Sequence, residues 1–136
     1  MAALAFTSCD KDDDNKPGSS GGIVGEWVIV AEKGHIKIDG EHTEDSPWDE
    51  TYDAKDEVFG YNFDKDGSYY DTDYDTGEWI YKNDKLTLIP DDKDGLTIEW
   101  KVLTLNNSRL IIEFSGKYEE DGETLEVYAK ETYVKL

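Results

Sequence analysis

Carboxylates are the commonest side chains in this sequence that could do chemistry. Asp71, Asp73 and Asp75 alternate along the chain and are followed by Gly77. A calcium loop of the EF-hand type needs glycine at its sixth position and glutamate at its twelfth. Here the glycine is seventh and Lys82 is twelfth, so the motif fails. Since aspartates also favour hairpin tips as turn residues, we predict no metal site at this position.

The other patterns that could support catalysis are equally unspecific. Two carboxylates can hydrolyse a glycoside when they lie about 5–10 Å apart across a sugar site, but 33 acidic residues guarantee pairs by chance. His35 and His42 flank a turn and could share a metal ion, yet their spacing is not typical of zinc ligands. No serine lies in the sequence context of a nucleophile elbow. We therefore predict a non-enzymatic protein with no catalytic residues and no cofactor.

Aromatic residues give a stronger signal, since the chain has four Trp, nine Tyr and four Phe. Those on strands are expected mainly to fill the core of a small barrel. The alternative is a lumen that binds a small hydrophobic or ring-shaped ligand at one mouth. Five side chains are predicted to contact such a ligand: Trp48, Tyr61, Tyr69, Tyr81 and Trp100.

The net charge excludes some partners. The 136 residues carry a formal charge of −19. Nucleic acids and anionic lipid surfaces bind proteins largely through Lys and Arg, so neither is an expected partner. We interpret the acidity mainly as a solvated surface that keeps the protein soluble.

The elements that must position these aromatic side chains are strands. Residues 25–31 form an apolar opening strand, and Phe59, Tyr61 and Phe63 alternate before a turn at 64–67. About eight or nine such runs with short connections predict an antiparallel up-and-down meander. A meander of this length tends to close, so we expect an all-β barrel of about eight strands. A two-sheet sandwich is the main alternative.

Two local patterns interrupt the simple alternation. Ser46 and Pro47 offer an N-cap and a first helical residue, which predicts at most one short helix near 47–55. Its aromatic residues could cap a barrel mouth or hold a loop down. After Val102 the apolar positions change parity, which indicates a β-bulge or bend. Residues 115–122 are interpreted as a polar connection.

The first 22 residues differ in composition from the rest. A short apolar stretch ends at Ser8-Cys9 and is followed by an acidic run and a Gly/Ser-rich linker. Cys9 is the only cysteine, so an intrachain disulfide is excluded. The pattern resembles a bacterial lipoprotein signal peptide, in which such a cysteine becomes the lipidated first residue. We therefore predict a signal remnant, lipid anchor and linker over 1–22 and a folded domain over 23–136.

The order of several motifs resembles the lipocalin-like lipoproteins of the Bacteroidetes. These motifs are Val24-Gly25-Glu26-Trp27, Tyr61 to Tyr69 with its Asp-Gly turn, Gly77-Glu78-Trp79 and Asp84-Lys85-Leu86-Thr87-Leu88. The resemblance implies a lipocalin-like barrel anchored through Cys9 to the outer membrane, facing the periplasm or the cell surface. Other lipocalins pack a basic side chain on the first tryptophan, and Arg109 is the only arginine here.

The predicted function is the binding of a small apolar or ring-shaped ligand by a lipid-anchored envelope protein. The alternative is an interaction module that contacts another envelope protein through its loops or an acidic face. A hydrolase that uses paired carboxylates is a third, less favoured interpretation. The membrane is expected to be contacted only through the lipid on Cys9.

Overall fold

The computed structural model describes residues 22–136 and shows ten strands and one turn of 3-10 helix within them. The strands are β1 (Gly25–Ile38), β2 (Glu41–His42), β3 (Trp48–Thr51), β4 (Gly60–Phe63), β5 (Ser68–Asp71), β6 (Thr76–Lys82), β7 (Lys85–Pro90), β8 (Ile98–Leu105), β9 (Arg109–Glu120) and β10 (Glu123–Lys135). Strand β1 and strands β4 to β10 pair in chain order, and β10 closes the ring against β1. The predicted all-β barrel of eight strands is confirmed.

Residues 1–21 lie outside the described part of the chain. They include Cys9 and nearly all of the predicted leader and linker, so the lipid anchor and the division at residue 22 stay predictions.

Strand β1 organises the barrel, because it is paired along both edges. One edge pairs in succession with β4, β3 and β2. The other edge pairs with β10 from Trp27 to Ile38. The opening strand predicted over 25–31 continues without interruption to Ile38.

The core fills the part of the barrel around the start of β1. Trp27 is 1% exposed, and its indole N–H donates to the carbonyl of Ile23 at 2.8 Å. Buried side chains from all eight barrel strands surround it. They form one cluster consisting of Ile23, Trp27, Ile29, Phe63, Tyr69, Trp79, Leu86, Leu88, Trp100, Val102, Leu110, Ile112 and Tyr133.

Two β-bulges decide which side chains point inward. Between β8 and β9 the register shifts at Leu103, which confirms the bulge predicted near Val102. Between β1 and β10 the register shifts at Val30, since Thr132 faces Ala31 while Tyr133 faces Ile29. A bulge reverses the alternation beyond it. Glu32 and Ile29 therefore both point into the barrel. In a regular strand, two residues three positions apart would point to opposite faces.

The sequence predicted at most one short helix near 47–55, and the structure has only a single 3-10 turn in this range. The segment forms β3, which pairs with β1, and then the 3-10 turn Ala54–Asp56. Ser46 does not cap a helix because its hydroxyl accepts a hydrogen bond from the Ile36 amide at 2.9 Å. Pairing with β1 satisfies the backbone of this segment better than one short helix could.

The polar connection predicted over 115–122 is wrong. Strands β9 and β10 remain paired up to Glu120 and Glu123, and the chain reverses at Asp121-Gly122. Both turn residues have positive φ, 53° and 82°, as the tightest hairpin turns require. The β9–β10 hairpin and the end of β1 therefore extend beyond the other barrel strands and form what we call the open end.

Candidate functional site

A cleft opens in the barrel wall where β8 and β9 separate. The two strands pair as far as Lys101 and Glu113 and then diverge. The cleft beside this point has a volume of about 480 Å³, and Trp100 and Phe114 form its aromatic floor, with ring centroids 6.0 Å apart. Charged side chains surround the floor and leave an apolar surface framed by polar groups.

Trp100 has an unusual indole group. Its N–H is buried and has no hydrogen-bond partner among the described residues. By contrast, the indole N–H groups of Trp27 and Trp79 donate to the carbonyls of Ile23 and Asp64 at 2.8 and 2.9 Å. A buried donor without an acceptor costs about 1–3 kcal/mol. The Trp100 N–H is therefore a buried donor whose hydrogen-bonding capacity is unused among the described residues.

A cluster of tyrosine and glutamate side chains lies inside the barrel above the core. Glu131 accepts a hydrogen bond from the Tyr133 hydroxyl at 2.6 Å, and Glu32 accepts one from the Tyr52 hydroxyl at 2.9 Å. Glu32 and Glu131 are direct partners across β1 and β10. Two carboxyl groups thus converge inside the barrel, as the hydrolase interpretation requires, although each is hydrogen-bonded to a tyrosine.

Burial controls the protonation of this cluster. It raises the pKa of the Glu131 carboxyl, and the negative charge of Glu32 raises it further, while the hydrogen bond from Tyr133 acts in the opposite direction. Burial also raises the pKa of the Tyr133 and Tyr61 hydroxyls, which stay neutral at physiological pH. Glu131 therefore binds its proton at a higher pH than an exposed glutamate does.

The open end continues the inner surface beyond Glu131. The Trp48 ring covers Gly34, because a Cβ placed on this glycine would lie 2.7 Å from Trp48 Cζ2. The Tyr118 ring covers Gly116 in the same way, with its Cζ at 2.7 Å from such a Cβ. Tyr118 is 49% exposed. Both glycines thus let an aromatic ring lie flat on the sheet.

Comparison with known proteins identifies the family. A model of the lipocalin-like domain matches residues 23–112. The chain belongs to the lipocalin-like domain family. No curated protein gives a significant match to this lipocalin-like chain. The family match ends within β9, so Phe114, Glu131 and Tyr133 lie beyond it.

In this chain a basic side chain also lies on Trp27, the first tryptophan of the domain. Lys135 Nζ lies 5.3 Å from the centroid of the Trp27 ring. The sequence had offered only Arg109 for this position.

The five aromatic residues predicted to bind a ligand fall into three places. Tyr61 and Tyr69 lie together in the interior with ring centroids 6.1 Å apart, and Tyr69 is only 6% exposed. Tyr81 and Trp100 lie in one row across the sheet, since both residues pair with Leu86 on β7, the strand between them. Trp48 lies at the open end. Of the five, Trp100 lines the cleft, and the binding role of all five stays a prediction.

The histidine and aspartate side chains that could have bound a metal ion make other contacts in the structure. The His35 and His42 rings meet edge to face at 5.8 Å. The Asp71 carboxylate accepts hydrogen bonds from the amides of Asp73 and Asp75, which makes it a turn residue. Within residues 22–136, no three His, Cys, Asp or Glu side chains are grouped so that they could hold a metal ion. No helix in this range is long and apolar enough to span a membrane.

Proposed function

We propose that this lipocalin-like domain binds, without transforming it, a small ligand that has a flat apolar ring and a hydrogen-bond acceptor. The observation that carries the proposal is the cleft between β8 and β9, because the rings of Trp100 and Phe114 form its floor and the buried indole N–H of Trp100 has no partner among the described residues. A ring that stacks on Trp100 and Phe114 would bury apolar surface, which stabilises a complex by about 25 cal/mol per Å². An acceptor atom on the same ligand would satisfy the indole N–H.

The proposal predicts that Trp100→Phe weakens ligand binding at least tenfold. The substitution keeps an aromatic floor but removes the donor, and the loss of one hydrogen bond worth about 1.4 kcal/mol corresponds to a factor of ten. A thermal-shift screen of ring-containing compounds supplies the ligand, and calorimetry on both proteins measures its affinity.

Trp48→Phe is the matched control, since it changes another indole at the open end and should leave the affinity unchanged. Equal affinity in the Trp100→Phe protein would overturn the proposal. Loss of binding in the Trp48→Phe protein alone would place the ligand at the open end instead.

We also propose that the domain is a lipoprotein of the bacterial envelope, held at the outer membrane by a lipid on Cys9. The support is the sequence before residue 23, where a small residue precedes this cysteine and an acidic linker follows it. The lipid would be the domain's contact with the membrane, because the charge of −19 disfavours adsorption to anionic lipids.

Lipid attachment predicts that Cys9→Ser moves the protein from the membrane to the soluble fraction. Both proteins would be expressed behind a complete lipoprotein signal peptide and compared by ultracentrifugation and by incorporation of labelled fatty acid. Equal membrane partition and equal labelling of the two proteins would contradict the anchor. Protease treatment of intact cells then shows whether the domain faces the medium or the periplasm.

A further inference from the structure

Strand β9 has a long edge without a partner among the described residues. Its pairing with β8 ends at Glu113, whereas its pairing with β10 continues to Glu120. From Phe114 to Glu120, therefore, the edge of β9 that faces away from β10 presents unpaired backbone N–H and C=O groups from alternate residues. At about 3.3 Å per residue this edge is roughly 23 Å long. Such an edge is a template for another strand.

The unpaired edge begins in the cleft already described. Phe114 and Ser115 belong to it and also line the cleft. On the opposite side β8 pairs with β7 from Ile98 to Lys101 but pairs with β9 only from Lys101 onward. The cleft is thus bordered by two strand edges that both lack hydrogen-bond partners, in addition to the buried Trp100 N–H. A compact ring would satisfy the indole but would leave most of these backbone groups unpaired.

We propose that the occupant of this cleft is an extended peptide that adds as a strand to the β9 edge from Phe114 to Glu120. The inference rests on the proposed function and specifies its ligand. One aromatic or apolar side chain of the peptide would be the ring that lies on Trp100 and Phe114. The peptide backbone would supply the remaining hydrogen bonds, as in other complexes formed by strand addition.

The side chains along this edge of β9 indicate which residue types the peptide should have. Phe114 and Tyr118 point to the inner face, so alternate residues of an added strand meet aromatic surface and should be apolar. The outer face of the same stretch and its tip carry Lys117, Glu119 and Glu120. Acids outnumber the lysine, and the whole chain has a charge of −19, so basic residues at the intervening positions are favoured. The charged residues also hinder pairing of the edge with a second copy of itself.

The test uses a seven-residue peptide of alternating lysine and valine with phenylalanine at the central apolar position, capped at both ends. Three derivatives with the same charge serve as controls. The first has proline at the central position. The second carries N-methyl groups on every other backbone amide, and the third carries them on the remaining amides. We expect the parent peptide to bind, proline to abolish binding, and only one methylated set to weaken it at least tenfold.

Hydrogen exchange locates the bound peptide on the protein. Alternate amides within residues 114–120, those on the edge facing away from β10, should become protected, and Trp100→Phe should weaken binding of the parent peptide. Equal binding of all four peptides would show attraction by charge alone and overturn the proposal, as would protection confined to another edge.

The outcome also separates this inference from the proposed function. Ring compounds that bind in a Trp100-dependent way, together with no peptide binding, would overturn the strand addition and leave the small-ligand proposal standing. If neither ring compounds nor the peptide bind, both are overturned.

Discussion

Replacing Trp27 with alanine should lower the free energy of unfolding by about 3–5 kcal/mol, the usual cost of removing a buried tryptophan. The side chain is 1% exposed and belongs to the single core cluster. Its loss also leaves the carbonyl of the fully buried Ile23 without its donor and removes the ring beneath Lys135. No neighbouring element can move into the space, since β1 is held by strands on both edges.

Urea unfolding followed by circular dichroism measures this effect. Trp48→Ala is the control, since it deletes the same side chain at the open end, where less apolar surface is buried. The loss of unfolding free energy in Trp27→Phe should lie between those of Trp48→Ala and Trp27→Ala, because phenylalanine keeps most of the apolar surface but lacks the indole N–H. A loss below about 1 kcal/mol for Trp27→Ala would show that this residue does not organise the core.

Replacing Glu131 with glutamine should make the folding stability less sensitive to a rise in pH above 4.5. The folded state raises the pKa of this carboxyl above its ordinary value of 4.5. The folded protein thus holds a proton that the unfolded chain releases, and folding stability falls as pH rises through the raised pKa. Glutamine does not titrate but can still accept the hydrogen bond from the Tyr133 hydroxyl. The variant should therefore gain stability relative to the wild type as pH rises above 4.5.

The measurement is the difference in unfolding free energy between the two proteins across a series of pH values from 4 to about 9. Glu126→Gln controls for the loss of one negative charge, because Glu126 lies on the outward face of the same strand and pairs with Lys117. Tyr133→Phe removes the hydrogen bond that favours the ionised carboxylate, so it should steepen the pH dependence. A constant difference between wild type and Glu131→Gln at all pH values would contradict a raised pKa.

The fold was predictable because apolar alternation survives along most strands. The bulge in β8 was also predictable, because Leu103 and Leu105 visibly change parity after Val102. The bulge at Val30 was not, because Trp27 to Val30 are all apolar and alternation carries no information there. Its consequence, the convergence of Glu32 and Glu131, was therefore missed.

The other errors arose where tertiary pairing overrides a local pattern. Ser46 and Pro47 have the residue types of a helix start, but Ser46 instead bonds to Ile36 in β1. The charged stretch before Asp121-Gly122 looked like a loop, although an Asp-Gly pair is a strong hairpin signal. The position of Trp100 on a strand was predictable, but the separation of β8 and β9 beside it and the missing partner of its N–H are tertiary features that the sequence does not show.

The closure of the barrel has a consequence for how the protein is made. Trp27, near the start of β1, pairs with Lys135, near the end of β10. A ribosome therefore completes the first strand long before it synthesises the strand that seals it. Contacts between such distant parts of a chain form slowly. Throughout that interval the nascent chain carries an open β1 edge, which has to be shielded from neighbouring chains until the last strand arrives.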